Sequence, residues 1–519
     1  MNGAQSLVRT LVDCGVDVCF MNPGTSEMHF VATLDAVPEM RGMLALFEGV
    51  VTGAADGYGR MAGTPAATLL HLGPGLGNGL ANLHNARRAR TPIVNVVGDH
   101  ATYHKKFDAP LESDIEGVAR NVSPGFVRRG SHPEPLAADA AAAVRAALGP
   151  PGQVATLVVP ADVSWGPGGI VAAPPAPPRH EALDAPRVAM VADVLRSGEP
   201  AALLLGNAAL GTAALVAASS IANTVDAKLF CETFPPRVAR GAGIPEIERI
   251  AYLGEMAVAQ LEGIRHLVLV DAKAPVSFFA YPDLPSWLVP ESCEIHVLAG
   301  PTDDATTTLE ALAEEVGARP DAARLAGSSR PDLPTGELNI RAVAAAVGAL
   351  LPEGAIVSDE GNTSGLFASP MTAGCPPHDW LFLTGGAIGQ GLPVAVGAAT
   401  ACPGRRVVSL QADGSALYTL QSWWTMARYG LDVTTVLFNN HSYAILNMEL
   451  QRVGTEGVGD RAREMLDLSN PDIDFASLAR GLGLTAWRSR TAEEFSRHLA
   501  AALSTPGPSL VEAILPARG

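Results

Sequence analysis

Cysteine is sparse in this chain. Six are spread over 519 residues, at positions 14, 19, 231, 293, 375 and 402, with no close C-x-x-C pair and no metal-ligand spacing. That pattern excludes a disulfide scaffold and a cysteine-based zinc module, and it fits buried, reduced thiols of a cytoplasmic protein. Basic charge is also short: 36 Lys plus Arg stand against 53 Asp plus Glu, a net charge of −17. Nucleic acid and anionic membrane surfaces are therefore poor partners. Long hydrophobic runs are missing. Leu381 to Gly404 carries no charge, but glycines and Pro393 interrupt it, so it reads as a buried loop and helix and not as a membrane span. The first residues, MNGAQSLVRTLVDCG, have the spacing of an amphipathic helix and lack the pattern of a signal peptide.

What remains is the composition of a globular enzyme, 48% hydrophobic and 17% charged, with 53 Gly and 40 Pro and length for about three domains. Helix and strand signals alternate throughout, which predicts an α/β fold of three doubly wound parallel-sheet domains. Their expected bounds are 1–170, 187–325 and 338–519. Pro/Gly-rich linkers at Gly166 to Pro186 and Gly317 to Glu337 separate them. In the first domain, strands are expected at Val16 to Met21, Leu44 to Phe47, Thr68 to Leu72, Ile93 to Val97 and Ala155 to Val159. In the second they are expected at Ala201 to Leu205, Lys228 to Phe230 and His266 to Val270. The first and third domains share a type, which suggests a duplication.

The stretch Arg405 to Tyr443 is the most informative. Val407 to Gln411 and Val433 to Phe438 read as buried strands, and Ala412 to Ser415 as a turn. Leu417 to Tyr429 reads as a helix capped by Gly430. In such a β-α-β unit Asp413 and Asn440 both lie just past the carboxyl ends of their strands, where ligands of open α/β sheets bind. A carboxylate, an amide oxygen and a backbone carbonyl suit Mg²⁺ held together with phosphates, and Gly414 permits close backbone approach.

Ala412-Asp413-Gly414, 24 residues, then Asn439-Asn440 resembles the thiamine diphosphate motif, with Ala412 in place of its first Gly. The resemblance implies Mg²⁺ held by Asp413, Asn440 and the Ser442 carbonyl, with Gly414, Ser415, Ser442 and Tyr443 around the cofactor. Phe47-Glu48-Gly49 ahead of Ala54-Ala55-Asp56-Gly57-Tyr58 resembles the pyrimidine-binding domain of the same enzymes, where the Glu bonds a ring nitrogen of the aminopyrimidine. The domain order, pyrimidine-binding, middle, diphosphate-binding, is similar to the acetolactate synthase, pyruvate oxidase and benzoylformate decarboxylase group. Gly385 to Pro393 resembles the stretch at the cofactor's middle, with Gly386 offering a carbonyl and Ile388 a stiff apolar wedge. Glu360-Gly361-Asn362-Thr363 is expected at the diphosphate.

Asn22-Pro23-Gly24-Thr25 and His71 resemble substrate-side motifs of benzoylformate decarboxylase. Thr25 would meet the substrate carboxylate, and His71 would move protons near neutrality. Where that enzyme has a second His, this chain has Ala280. Asp108 to Ile115 and Gly73-Pro74-Gly75 resemble acetolactate synthase instead. The FAD signatures of its middle domain are replaced by Leu205-Gly206-Asn207-Ala208 and Val270-Asp271-Ala272-Lys273, so FAD is not expected. His100, His104 and His441 receive no role.

These residues predict a thiamine diphosphate- and Mg²⁺-dependent 2-oxo acid decarboxylase or carboligase. The partner is a small-molecule substrate, and the resemblance implies a homo-oligomer, at least a dimer and compatible with a tetramer. The other readings are a non-catalytic cofactor-binding protein and, from the glycines at 73, 75, 77 and 79, a nicotinamide-dependent dehydrogenase.

Overall fold

The structure is a computed structural model that describes residues 1–454 and 457–516. Its first sheet holds six parallel strands: β1 (Val18–Asn22), β2 (Arg41–Leu44), β3 (Ala66–Leu70), β4 (Ile93–Asp99), β5 (Val127–Arg129) and β6 (Val154–Pro160). Their order is β2-β1-β3-β4-β6-β5. The interior strands are buried along their length, as continuous Val/Ile/Leu/Ala runs require when helices cover both faces. The second sheet comprises β7 (Ala201–Leu205), β8 (Lys228–Cys231), β10 (Glu248–Arg249), β11 (His266–Val270) and β12 (Glu294–Ala299), in the order β10-β8-β7-β11-β12.

The third sheet contains β13 (Ile356–Glu360), β14 (His378–Phe382), β15 (Val407–Ala412), β16 (Val433–Asn439), β17 (Thr485–Ser489) and β18 (Ser509–Ile514). It also takes β9 (Val238–Arg240), a strand borrowed from the middle of the chain. The order is β17-β18-β16-β15-β13-β14-β9, and β9 pairs antiparallel with β14. Without that strand, the sheet has the same topology as the first: β14-β13-β15-β16-β18-β17 repeats β2-β1-β3-β4-β6-β5. Both sheets reverse strand order between their first and third strands, so each has a crevice at that switch point.

The two similar halves meet through corresponding helices. Helix Glu48–Ala62 follows β2, helix Gly391–Ala401 follows β14, and both are almost wholly buried in one shared apolar core. They cross with backbones nearly touching. A Cβ at Gly57 would run into the Val394 carbonyl, and one at Gly397 into the Ala54 carbonyl. Arg60 locks the contact. It forms a two-point ion pair with buried Asp56 at 2.9 and 2.5 Å, and it donates to Phe382 O at 2.8 Å and Thr384 Oγ1 at 2.9 Å. Removing one partner would strand a buried charge, so the Asp and Arg of the A-D-G-Y-G-R segment are fixed by assembly of the halves.

Some expectations shift. The second strand lies at Arg41–Leu44, three residues earlier than Leu44 to Phe47, because Phe47 is the extended residue that starts the following helix. Ala412 to Ser415 is no free-standing turn. Ala412 is the last strand residue and Asp413 opens a helix directly, and the expected helix to Tyr429 comes as two pieces, Asp413–Thr419 and Gln421–Tyr429. Gly430 caps the second in the left-handed conformation, φ 59°. Leu381 to Gly404 is β14, a loop and a buried helix, and among the described residues no helix is long and apolar enough to cross a membrane.

Candidate functional site

β15 and β16 run side by side with Ala412 opposite Phe438, which sets Asp413 next to Asn440 at their carboxyl ends. Both are buried, at 3% and 6% exposure. Asp413 Oδ2 accepts the backbone N–H groups of Asn440 (3.0 Å) and His441 (2.8 Å), and Oδ1 accepts that of Gly414 (2.8 Å). Burial pushes the Asp413 carboxyl above its ordinary range, and the three N–H donors pull it back. Asn440 Oδ1 accepts from Ser442 N–H at 3.0 Å, and its amide donates to Ser364 Oγ at 3.2 Å. Ser364 follows Asn362 and Thr363, so the 360–364 turn joins the cluster. Asn362 is exposed, with φ 47°.

The Tyr443 ring lies over Gly414, where a Cβ would strike it. Ser415 Oγ is drawn inward, donating to Ala412 O at 3.2 Å and accepting from Gln411 at 2.7 Å. The donor set thus combines a carboxylate, an amide oxygen and the carbonyl of residue 442. These hard oxygens stand beside a glycine and the first turn of a helix. They fit a divalent cation bound to a diphosphate.

The loop between β14 and helix Gly391–Ala401 carries Gly386 (φ 77°) and half-buried Ile388. Three side chains of helix Leu72–Ala89 clamp it. His84 Nε2 is 3.1 Å from Gly385 O, and Asn85 donates to Ala387 O at 2.8 Å. Asn82 donates to both Gly49 O (2.7 Å) and Gly389 O (3.2 Å). Glu360, fully buried, receives N–H bonds from Gly389 (2.6 Å), Gln390 (3.3 Å) and Gly391 (2.7 Å) and the amide of Gln411 at 2.9 Å. Burial pushes its carboxyl up to about 7 against those four donors. The Phe278 ring rests against Gly386 within an aromatic group with Phe234, Tyr252 and Phe279.

Glu48 is the first residue of its helix, 6% exposed, and its Oε2 accepts from Asn78 Nδ2 at 3.0 Å. His71 ends β3 at the switch point with β1. A Cβ on Gly75 would sit 3.3 Å from Glu48 Oε1 and 3.4 Å from His71 Cβ, so the two residues flank one glycine. Thr25 is exposed on the same crevice, in the single turn after β1. Glu27, one turn further, is a residue sequence reasoning missed. It is 2% exposed, its Oε2 lies 2.8 Å from His71 Nδ1, and it accepts Gly24 N–H at 2.7 Å. Burial raises the Glu27 carboxyl above its usual range, and the His71 charge works against that rise. Its only local signal is an acidic residue two positions after N-P-G-T. The contact itself spans 44 positions and appears only once β1 pairs with β3.

The remaining expectations fall elsewhere. His441 lies at the edge of the cluster, its Nδ1 3.4 Å from Asp472. His100 and His104 stack on each other at 5.4 Å near the Asp99–Lys105 ion pair. Asp271, at the end of β11, is ion-paired with Arg90 beside a cavity of about 720 Å³ that none of residues 48, 71, 413 and 440 lines.

Comparison with known proteins follows the same division of the chain. Residues 1–120 match the N-terminal TPP binding domain of thiamine pyrophosphate enzymes, and residues 359–513 match the C-terminal TPP binding domain. The chain is 59% identical to IlvX of Mycobacterium tuberculosis H37Rv, named provisionally as an acetolactate synthase large subunit, over 99% of both chains. It is 29% identical to benzoylformate decarboxylase of Pseudomonas aeruginosa PAO1 over 96% of both. The fold superposes on a thiamine diphosphate-dependent 4-hydroxybenzoylformate decarboxylase of Rhodococcus jostii RHA1 with a TM-score of 0.84, at 24% identity over 100% of both chains.

Proposed function

The chain belongs to the thiamine pyrophosphate enzyme family, and on that premise we propose that it is a thiamine diphosphate- and Mg²⁺-dependent decarboxylase or carboligase of 2-oxo acids. The observation that carries this reading is the Asp413–Asn440 pair, a buried carboxylate and amide held together at the ends of adjoining parallel strands. In the reading, Asp413, Asn440 and the Ser442 carbonyl hold Mg²⁺. Gly414, Ser415, Tyr443 and the turn with Asn362 and Thr363 surround the diphosphate. When bound, the cofactor supplies the nucleophilic carbon and the electron sink that a 2-oxo acid requires.

The chain's own residues do the rest. Ile388 and the Gly386 carbonyl fix the cofactor's shape, and Glu48 exchanges a proton with its pyrimidine ring. Thr25 meets the substrate carboxylate. His71 moves a proton at the substrate, with Glu27 holding its Nδ1 so that Nε2 faces outward. The aromatic group around Phe278 favours a donor with a bulky apolar side chain over a small one. A second copy supplies the facing half of each site, so a monomeric active protein in sedimentation would refute the oligomer.

The direct test is a screen of 2-oxo acids, with and without aldehyde acceptors, on protein loaded with cofactor and Mg²⁺. Aldehyde or 2-hydroxy ketone product from an aryl donor supports the reading. Tight cofactor binding without turnover of any donor points to a binding protein.

Glu27→Gln isolates the relay. The amide oxygen keeps the Gly24 N–H paired, but the charge beside His71 is gone. The kcat is expected to fall by roughly a hundredfold with cofactor affinity unchanged. An unaltered kcat would remove Glu27 from the mechanism.

A further inference from the structure

The middle sheet carries a group of side chains that the proposed chemistry does not use. β11 and β12 are parallel neighbours with His266 opposite Glu294 and Val268 opposite His296, and β12 is the sheet's edge strand. Strand alternation places His266, Glu294 and His296 on one face. They stand at the amino-terminal rim, away from the carboxyl ends where Asn207 and Asp271 lie. His266 Nδ1 and His296 Nε2 are 3.1 Å apart, and a Glu294 carboxylate oxygen lies with both nitrogens inside a 4.8 Å span.

We propose that His266, His296 and Glu294 form a transition-metal site suited to Zn²⁺, with Glu199 positioning His266. The chemistry favours zinc on three grounds. Two imidazoles and one carboxylate are a borderline-soft set that Zn²⁺ takes and that Mg²⁺ and Ca²⁺ disfavour. Zinc–nitrogen bonds of about 2.0–2.1 Å at a tetrahedral angle separate two nitrogens by about 3.3 Å, close to the spacing already present. The third ground is an outer contact. His266 Nε2 lies 2.8 Å from Glu199 Oε2 in the loop before β7. A carboxylate only accepts, so Nε2 carries the hydrogen and neutral His266 presents a lone pair on Nδ1 toward His296 Nε2. A carboxylate behind the imidazole is the usual device that fixes a metal-bound histidine.

His296 is 6% exposed, and burial holds its imidazole below its ordinary range, so the ring is available in the neutral form a metal needs. Glu294 is exposed, which leaves an entry path and a fourth position for water. Occupancy would pin the edge strand to β11 and, through Glu199, to the loop before β7.

The test is zinc titration of tag-free, cofactor-stripped full-length protein by calorimetry, with Co²⁺ as the spectroscopic probe. One Zn²⁺ equivalent is expected that survives Asp413→Ala, accompanied by the visible absorption of tetrahedral Co²⁺. His266→Gln and His296→Gln should each weaken it at least tenfold, and Glu199→Gln roughly ten- to hundredfold. Should either histidine variant misfold by circular dichroism, Glu294→Gln, altered on an exposed side chain, decides by the same tenfold loss. Zinc binding unchanged in His296→Gln or Glu294→Gln, or zinc binding that disappears with Asp413→Ala, overturns the proposal. Turnover is not read, so the outcome is independent of the proposed activity.

Discussion

Asp413→Asn should weaken Mg²⁺-dependent binding of thiamine diphosphate by about a hundredfold or more, close to 2.7 kcal/mol. The side chain has two tasks in the structure. Its oxygens accept three backbone N–H groups, from Gly414, Asn440 and His441, and they offer the only carboxylate charge in the donor set with Asn440 and Ser442. Alanine would remove both tasks at once. Each N–H left buried and unpaired costs about 1–3 kcal/mol, so the 440–443 turn would loosen and binding would fail for a structural reason. Asparagine separates the two. One oxygen still accepts, the shape is kept, and the charge that draws Mg²⁺ is lost. Calorimetric titration of the cofactor with and without Mg²⁺ reads the difference. Asp413→Asn protein that binds cofactor as tightly as the parent, and with the same dependence on Mg²⁺, would refute the cation assignment. Asp413→Ala is expected to abolish Mg²⁺-dependent binding and also to lower the melting temperature.

Much of this cluster is legible in sequence, because each signal is local. Val407 to Gln411 and Val433 to Phe438 are apolar runs of strand length. Two adjoining parallel strands then bring their carboxyl ends together whatever else the chain does. Ala201 to Leu205 and His266 to Val270 match the observed strands residue for residue for the same reason. The misses lie where a distant segment decides. Val238–Arg240 becomes a strand because β14 presents an open edge to it, and nothing in its own residues says so. The 384–389 loop owes its shape to Asn82, Asn85 and Glu360, which reach it from positions 29 to 307 residues away. Asp413 opens a helix where a turn was expected. A-D-G-S has turn-forming composition, but β15 delivers the chain straight into a helix start where an acidic first residue is favoured. Glu27 carries no periodic or motif signal, and only the pairing of β1 with β3 sets it against His71.

Glu48→Gln should leave the fold and the cofactor affinity within a few-fold of the parent while slowing proton exchange at the cofactor's reactive carbon by a hundredfold or more. The structure explains why the two effects separate. Gln has the shape of Glu and can still accept the Asn78 amide, so the contact at 3.0 Å survives and the buried first turn of the helix stays packed. What Gln cannot do is give and regain a proton. Glu48 stands at a helix start, where the N–H groups of the first turn favour a carboxylate, yet it is only 6% exposed, where desolvation favours the acid. Those opposing influences suit a group that must pass between the two forms. Asn82 ties the adjacent Gly49 carbonyl to Gly389, so Glu48 is held in fixed relation to the loop bearing Ile388, and the substitution should not disturb that tie. Deuterium exchange of bound cofactor, followed by nuclear magnetic resonance after acid quench, measures the rate directly. Exchange at the parental rate in the Gln variant would mean that Glu48 only caps its helix, and the catalytic half of the reading would fall while the cation half, carried by Asp413, could stand.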